Sequence, residues 1–264
     1  MARDRQDSID IKQIPATFYG VTVTGHVDRT YRRFTSDRNY TRFTVKISET
    51  DLYILADLDL SDLAFQSALS CRVHIEEYIR IHPEFRTSLV PVSLDALAPD
   101  VVKDMLKASA MAGVGPMASV AGAIAEHVGK ELTRESANVM VENGGDIYIN
   151  VEENVLIGIF AGDSPLTGRI ALSIDARESP IGICTSSGTV GHSLSFGIAD
   201  AVCIKSKSSA LADAAATSVG NLIRKKSDVR KGLERAMSIP GVLGALIVVD
   251  DTLAVQGSMD LRRA

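Results

Sequence analysis

The chain is poor in cysteine, has no long run of strongly apolar residues and carries no excess of positive charge. Its three cysteines, Cys71, Cys184 and Cys203, are an odd number at no metal-ligand spacing. They offer neither a disulfide framework nor a zinc motif, so a reducing compartment is expected. With 28 Lys and Arg against 33 Asp and Glu, the formal net charge of -5 argues against a chain-wide polyanion-binding surface. No nucleic-acid partner is expected. Residues 1–13 alternate charges with isolated apolar residues and lack the hydrophobic core of a secretory signal, which points to a cytoplasmic location. The weakly polar stretch 108–125 is built from Ala, Gly, Ser and Met and is broken by Gly113, Gly115 and Pro116. Its small content of Leu, Ile and Phe disfavours bilayer insertion, so no membrane partner is expected. Neither a Gly-x-Ser-x-Gly elbow nor an internal repeat occurs.

What is present is 264 residues with 45% hydrophobic content, enough for one large domain or two small ones. Residues 17–54 alternate apolar and polar positions, with Ser36-Asp37-Arg38-Asn39 as a turn, and predict a strand-rich start. Arginines such as Arg29, Arg32 and Arg38 interleave with Tyr31, Phe34 and Tyr40 here. The aromatics are expected in the core, and one or two arginines on phosphate. Helical spacing of Leu63, Ala64, Ala68, Leu69, Val73, Ile75 and Ile79 predicts a helix over 61–81, ended by His82-Pro83. A proline-marked passage, 91–99, leads to a second helix over 101–110, with Val102, Met105, Leu106 and Ser109 on one face. Further helices are expected over 118–132 and 210–223, and strands over 139–141, 147–151, 155–160, 170–174 and 243–249. The passage divides the chain into 1–98 and 99–264, expected to form one compact unit. The class is α+β, with α/β as the alternative.

Three glycine-containing segments place mobile backbone beside polar side chains. They are Ala112-Gly113-Val114-Gly115-Pro116-Met117, Glu142-Asn143-Gly144-Gly145-Asp146, and Cys184-Thr185-Ser186-Ser187-Gly188-Thr189-Val190-Gly191-His192. Such loops let backbone N–H groups surround a phosphate; each also reads as an ordinary tight turn. On the predicted helix 210–223, Asp213 and Thr217 are four apart and share a face. They present a carboxylate and a hydroxyl to one hard cation such as magnesium, or form a helix-terminal carboxylate beside an unrelated threonine. His192 has the titration range of an acid–base catalyst and equally could tie down its loop. Cys184, flanked by Ile181 and Ile183, reads as a buried thiol at a strand end.

These segments, in this order, resemble the ApbE-like flavin transferase superfamily. The corresponding patterns of that superfamily are an Asn-x-Gly-Gly-acidic turn, a Thr-Ser-Gly loop and an Ala-Asp-Ala-x-x-Thr helix start. Here Asn143 to Asp146 lacks the intervening x, Thr185 to Gly188 has one more serine, and Ala212 to Thr217 fits in full. Arg29-Thr30-Tyr31-Arg32, Ile75-Glu76-Glu77-Tyr78-Ile79, His82-Pro83-Glu84-Phe85 and the stretch from Ala112 to Glu126 are similar to its uncharacterised branch. The resemblance implies an ApbE-like fold with mixed sheets flanked by helices. It also implies Asp213 and Thr217 as magnesium ligands, with the Gly144/Gly145 turn and the Ser187/Gly188 loop contacting FAD or FMN.

Two segments depart from the transferase pattern. The Ser-x-x-Lys-Gly motif becomes Ser119-Val120-Ala121-Gly122-Ala123, without the lysine, and the His-Ile-x-Asp-Pro segment becomes His192-Ser193-Leu194-Ser195-Phe196-Gly197. The leading expectation is a magnesium-assisted protein that binds a flavin or another phosphate-bearing small molecule, of transferase type. A non-catalytic carrier or sensor and a hydrolase using Ser187 and His192 stay open.

Overall fold

Strands buried on both faces read as unbroken apolar runs, and such strands form the middle of this protein. A computed structural model describes residues 34–35, 40–186 and 197–263. The expected turn at 36–39, the strand-like residues 17–33, the arginines before residue 40, and Ser187, Gly188, Thr189 and His192 lie outside the described residues.

The elements run β1 (Phe34–Thr35), β2 (Thr41–Ile47), β3 (Thr50–Ala56), α1 (Ser61–Ile81), α2 (Glu84–Thr87), α3 (Asp100–Ala112), α4 (Val120–Leu132), β4 (Val139–Asn143), β5 (Asp146–Asn150), β6 (Val155–Gly158), β7 (Ile170–Ile174), β8 (Ile181–Ser186), β9 (Ala201–Ser206), α5 (Ser209–Gly220), α6 (Val229–Ser238), β10 (Val242–Val249), β11 (Thr252–Gly257) and β12 (Asp260–Arg263). Eight strands form one sheet in the order β11-β10-β9-β8-β5-β4-β3-β2, and four form a second, β1-β6-β7-β12. The pairings between described strands are antiparallel. The class is therefore α+β. β3 pairs with β4, so the two expected parts, 1–98 and 99–264, contribute neighbouring strands to one sheet.

The two-residue period of a strand sorts the large sheet's side chains into two cores. Ile54, Val141, Tyr148, Cys184, Ile204 and Ile247 face the helices. Leu55, Met140, Ile149, Ile183, Cys203 and Leu246 face the small sheet, whose Val155, Ile157, Leu172 and Ile174 meet them. The result is three layers: helices, large sheet, small sheet.

Helix α1 starts with Asp62 in its first turn and stops at His82, before Pro83, as expected. Its buried stripe is Ala64, Ala68, Cys71, Ile75 and Tyr78. These are spaced four, three, four and three, a narrower seam than the sequence suggests. Leu69 and Val73 are instead exposed. In α3 the expected face of Val102, Met105, Leu106 and Ser109 is buried. The expected helix at 118–132 is tightened at its start into a 3-10 turn, Pro116–Ser119. Helix α2, strand β9, helix α6 and strands β11 and β12 go beyond the elements that the sequence predicts. Helix α6 has few apolar residues and buries only Val229, Gly232, Leu233 and Ala236, so its period is faint in sequence. Among the described residues no single helix is long and apolar enough to cross a membrane; α3 and the segment Pro116–Leu132 pass only as a pair bent by 103°.

Helix α5 sits directly on the sheet because Gly182 in β8 has no side chain. A Cβ there would stand 2.4 Å from the Ser209 backbone nitrogen. We expect Gly182→Ala to destabilise the protein by about 1–3 kcal/mol through overpacking. Gly158→Ala, where no atom lies within 4 Å of the added carbon, should stay within about 0.5 kcal/mol of the parent. Denaturant unfolding of the two variants side by side checks both expectations, and equal stability would remove the close approach as a constraint.

Candidate functional site

The site is built where a hairpin, a strand end and a helix meet. Asn143 and Asp146 close the β4–β5 hairpin in register, with Gly144 and Gly145 between them. Both glycines have positive φ, 68° and 111°. A two-residue hairpin turn of this hand needs that conformation, which glycine adopts without a side-chain clash. The turn is tied to β8, since Thr185 donates its N–H to the Gly145 carbonyl at 3.1 Å. Asn143 anchors the other side, its Nδ2 donating to the Ala121 carbonyl at 3.1 Å.

Register then does the rest. Asp146 lies opposite Cys184 across the β5–β8 pair, and Cys184 faces the helices. Asp213, from the second turn of α5, comes down over both. One ligand atom from each of Asp146, Cys184 and Asp213 lies within 4.8 Å of the other two. Among the described residues this is the one group of three His, Cys, Asp or Glu side chains so placed. Asp213 accepts the Gly122 N–H at 3.0 Å. Asp146 is 8% exposed, and its Oδ1 is buried without a hydrogen-bond partner. A buried carboxylate oxygen in that state is costly unless something positive reaches it.

The electrostatics follow from that burial. Loss of hydration pushes the Asp146 carboxyl up to about 7; hydrogen bonding from the Cys184 thiol partly opposes the rise, and the Glu142 charge adds to it. Asp213 is raised well above the usual carboxylate range, first by burial and then by the negative charge of Asp146, against the help of the Gly122 and Ala121 N–H groups. The Cys184 thiol is raised by burial and by both carboxylates. Two carboxylates in such a place hold a proton or a cation between them at neutral pH.

The other sequence-predicted residues are distributed as follows. Thr217 is one helical turn beyond Asp213 on α5 and half-buried. Thr185 and Ser186 end β8 beside the Gly144–Gly145 turn and are half-buried. Gly113 caps α3 with φ 70°, and Arg235 closes that end by donating to the Ala112 carbonyl at 2.6 Å. At Gly115 a Cβ would stand 1.8 Å from the Ser88 carbonyl oxygen, so this glycine permits chain packing.

Two neighbours of this site give no sign of it in the sequence. Cys184 reads there as a buried thiol at a strand end, and only strand register puts it beside Asp146. Glu126, 6% exposed, caps α5: it accepts from Ser208 Oγ at 2.7 Å and from the Ala210 N–H at 3.2 Å. That carboxylate, with the Ser208 cap on Leu211, already satisfies the amino end of α5. Gly122, where the resemblance sets the missing lysine, has no room for a side chain, because a Cβ there would lie 2.2 Å from the Ser209 carbonyl oxygen.

The fold is shared with solved flavin transferases. The fold is similar to a mutant of the flavin transferase ApbE from Vibrio cholerae, with a TM-score of 0.54 and 13% identity over 84% of this chain and 98% of that one. It is equally similar to the apo flavinyl transferase ApbE of Pseudomonas stutzeri, with a TM-score of 0.54 over 83% of this chain and 94% of that one. The chain belongs to the family described as AbpE bacteria, whose model matches residues 32–259. It is 41% identical over 221 residues to a UPF0280 protein of Methanococcus aeolicus, covering 81% of this chain and 89% of the relative. A UPF0280 protein of Methanocella arvoryzae is 39% identical over 215 residues, covering 81% and 87%.

The buried carboxylates set a pH dependence for the metal-free protein. With its folded pKa raised to about 7 from about 3.9 in the unfolded chain, Asp146 keeps a proton in the native state that the unfolded state has lost. The native state binds more protons over that window, so stability falls as pH rises from about 4 to about 7. Thermal melts in chelator should show this fall, and Asp146→Asn should make it shallower, the burial of Asp213 supplying what remains. A parent and variant with parallel pH profiles would mean the carboxyl is not desolvated as described.

Proposed function

We propose that this protein binds a flavin or another phosphate-bearing small molecule together with a divalent cation, magnesium in the first instance, in the manner of a flavin transferase. The observation that carries the reading is the convergence of Asp146 and Asp213 on one buried point, with Asp146 Oδ1 left without a partner. The donors fit a hard dication: two carboxylates, with the Thr217 hydroxyl one turn along the same helix. Such a cation would neutralise the charge of a phosphate or pyrophosphate group brought to it.

The chain's own residues do the remainder. Asp213 is aimed by the Gly122 N–H, which fixes its carboxylate before any ligand arrives. The Gly144–Gly145 turn and the end of β8 at Thr185 and Ser186 form the adjoining backbone, to which we assign the phosphate. Ser187, Gly188, Thr189 and His192 continue from that strand end. We assign the first three to ligand contact and His192 to proton transfer. The transferase resemblance of the fold supports turnover. The packed backbone at Gly122, which leaves no place for a lysine, supports the second reading of a carrier or sensor that keeps the pocket alone.

Calorimetric titration with FAD, FMN and ADP, in magnesium and in chelator, tests this. At least one ligand should bind in magnesium and lose most of its affinity in chelator. Asp213→Asn should lose about tenfold or more, because it removes a charge from the cation while keeping shape, and Thr217→Val should lose less. Equal binding by the parent in chelator and by Asp213→Asn would make α5 only a packing helix.

A further inference from the structure

The third donor at the site is sulfur, and an all-oxygen magnesium site has no use for it. Cys184 is 2% exposed, with its side chain on the helix face of β8. It lies opposite Asp146 in the ladder, and its Sγ is within 4.8 Å of a carboxylate oxygen of both Asp146 and Asp213. Asp146, whose buried Oδ1 has no hydrogen-bond partner, belongs to the same group. Small movements bring such donors to the separations that one cation at about 2.0–2.3 Å from each requires. A thiolate with two carboxylates suits a borderline, thiophilic dication, whereas magnesium keeps to oxygen and water.

The geometry points to Cys184 as a metal ligand that makes this a site for a zinc-like divalent cation, held by Asp146, Asp213 and the Cys184 sulfur. The inference deepens the cation-dependent reading above and rests on it. On binding, the Cys184 S–H bond breaks, its proton goes to solvent, and a metal–sulfur bond forms with no change of oxidation state. The ligand's phosphate then meets a cation whose two positive charges are formally outweighed by its three anionic donors. Phosphate is thereby held less by charge than at a magnesium site, and more by the neighbouring backbone.

The chain offers its own controls, because its other two cysteines are placed elsewhere. Cys203 lies in the core between the two sheets, and Cys71 lies on α1. Cobalt(II) titrated into the reduced full-length protein should produce a sulfur-to-cobalt charge-transfer band that zinc abolishes. The band should persist in Cys71→Ser and Cys203→Ser and vanish in Cys184→Ser. Zinc affinity should fall by about tenfold or more in Cys184→Ser, while magnesium affinity, measured with nucleotide present, should change by less than about threefold. If Cys184→Ser does not fold, the band in the parent and in the other two variants assigns the sulfur by elimination. Cobalt bound without a charge-transfer band, or a band that survives Cys184→Ser, overturns the thiolate ligand and leaves the cation-dependent reading standing. If cobalt, zinc and magnesium all fail to bind, with and without nucleotide, the cation-dependent reading falls and takes this one with it.

Discussion

The site depends on how closely α5 can lie against its neighbours. Gly182 below it and Gly122 beside it both lack a side chain, and at each a Cβ would overlap the backbone of Ser209. That double contact sets the height and position of the helix. Asp213 is thereby lowered until it accepts the Gly122 N–H and stands over Asp146 and Cys184. Larger residues would lift the helix, and the carboxylates would separate into water. The acidic pair is thus a product of helix–sheet packing, and its raised proton affinity is the electrostatic result of that packing.

The cost of burying two carboxylates is spread over the structure. Backbone N–H groups of Ala121 and Gly122 oppose the penalty at Asp213, while Asp146 keeps an oxygen with no partner. A structural ion pair would have brought its cation from the chain, as the Lys205–Glu178 pair does elsewhere at 2.7 Å. Here no Lys or Arg hydrogen bond or ion pair reaches Asp146 or Asp213 among those seen in the described residues. An internal negative charge without an internal positive one is the arrangement expected where the counter-charge arrives with a ligand or cation.

Family membership and fold agree with this account at different levels. The relatives at about 40% identity carry an uncharacterised name. The solved flavin transferases share the architecture at 13% identity, which speaks for the fold alone. The local chemistry where the cation is proposed to sit is close-packed backbone at Gly122 and a sulfur at Cys184. Local chemistry of this kind, more than the scaffold, decides which ion or group a site takes.

Most of the elements and the turn chemistry are local properties that the chain carries in its order of residues. The helix stop at His82-Pro83, the α3 face of Val102, Met105, Leu106 and Ser109, and the need for two glycines after Asn143 are local properties, set by proline sterics, helical period and positive φ. The order of the Asn143, Thr185 and Asp213 segments was also legible, through the family resemblance. Strand β9 and helix α6 were not, since the first gives no alternation when both faces are buried and the second has few apolar residues. That Asp146, Cys184 and Asp213 share one point is a long-range result of the folded chain. Their spacings of 38 and 29 residues carry no periodic signal; antiparallel register and the close seating of α5 bring them together.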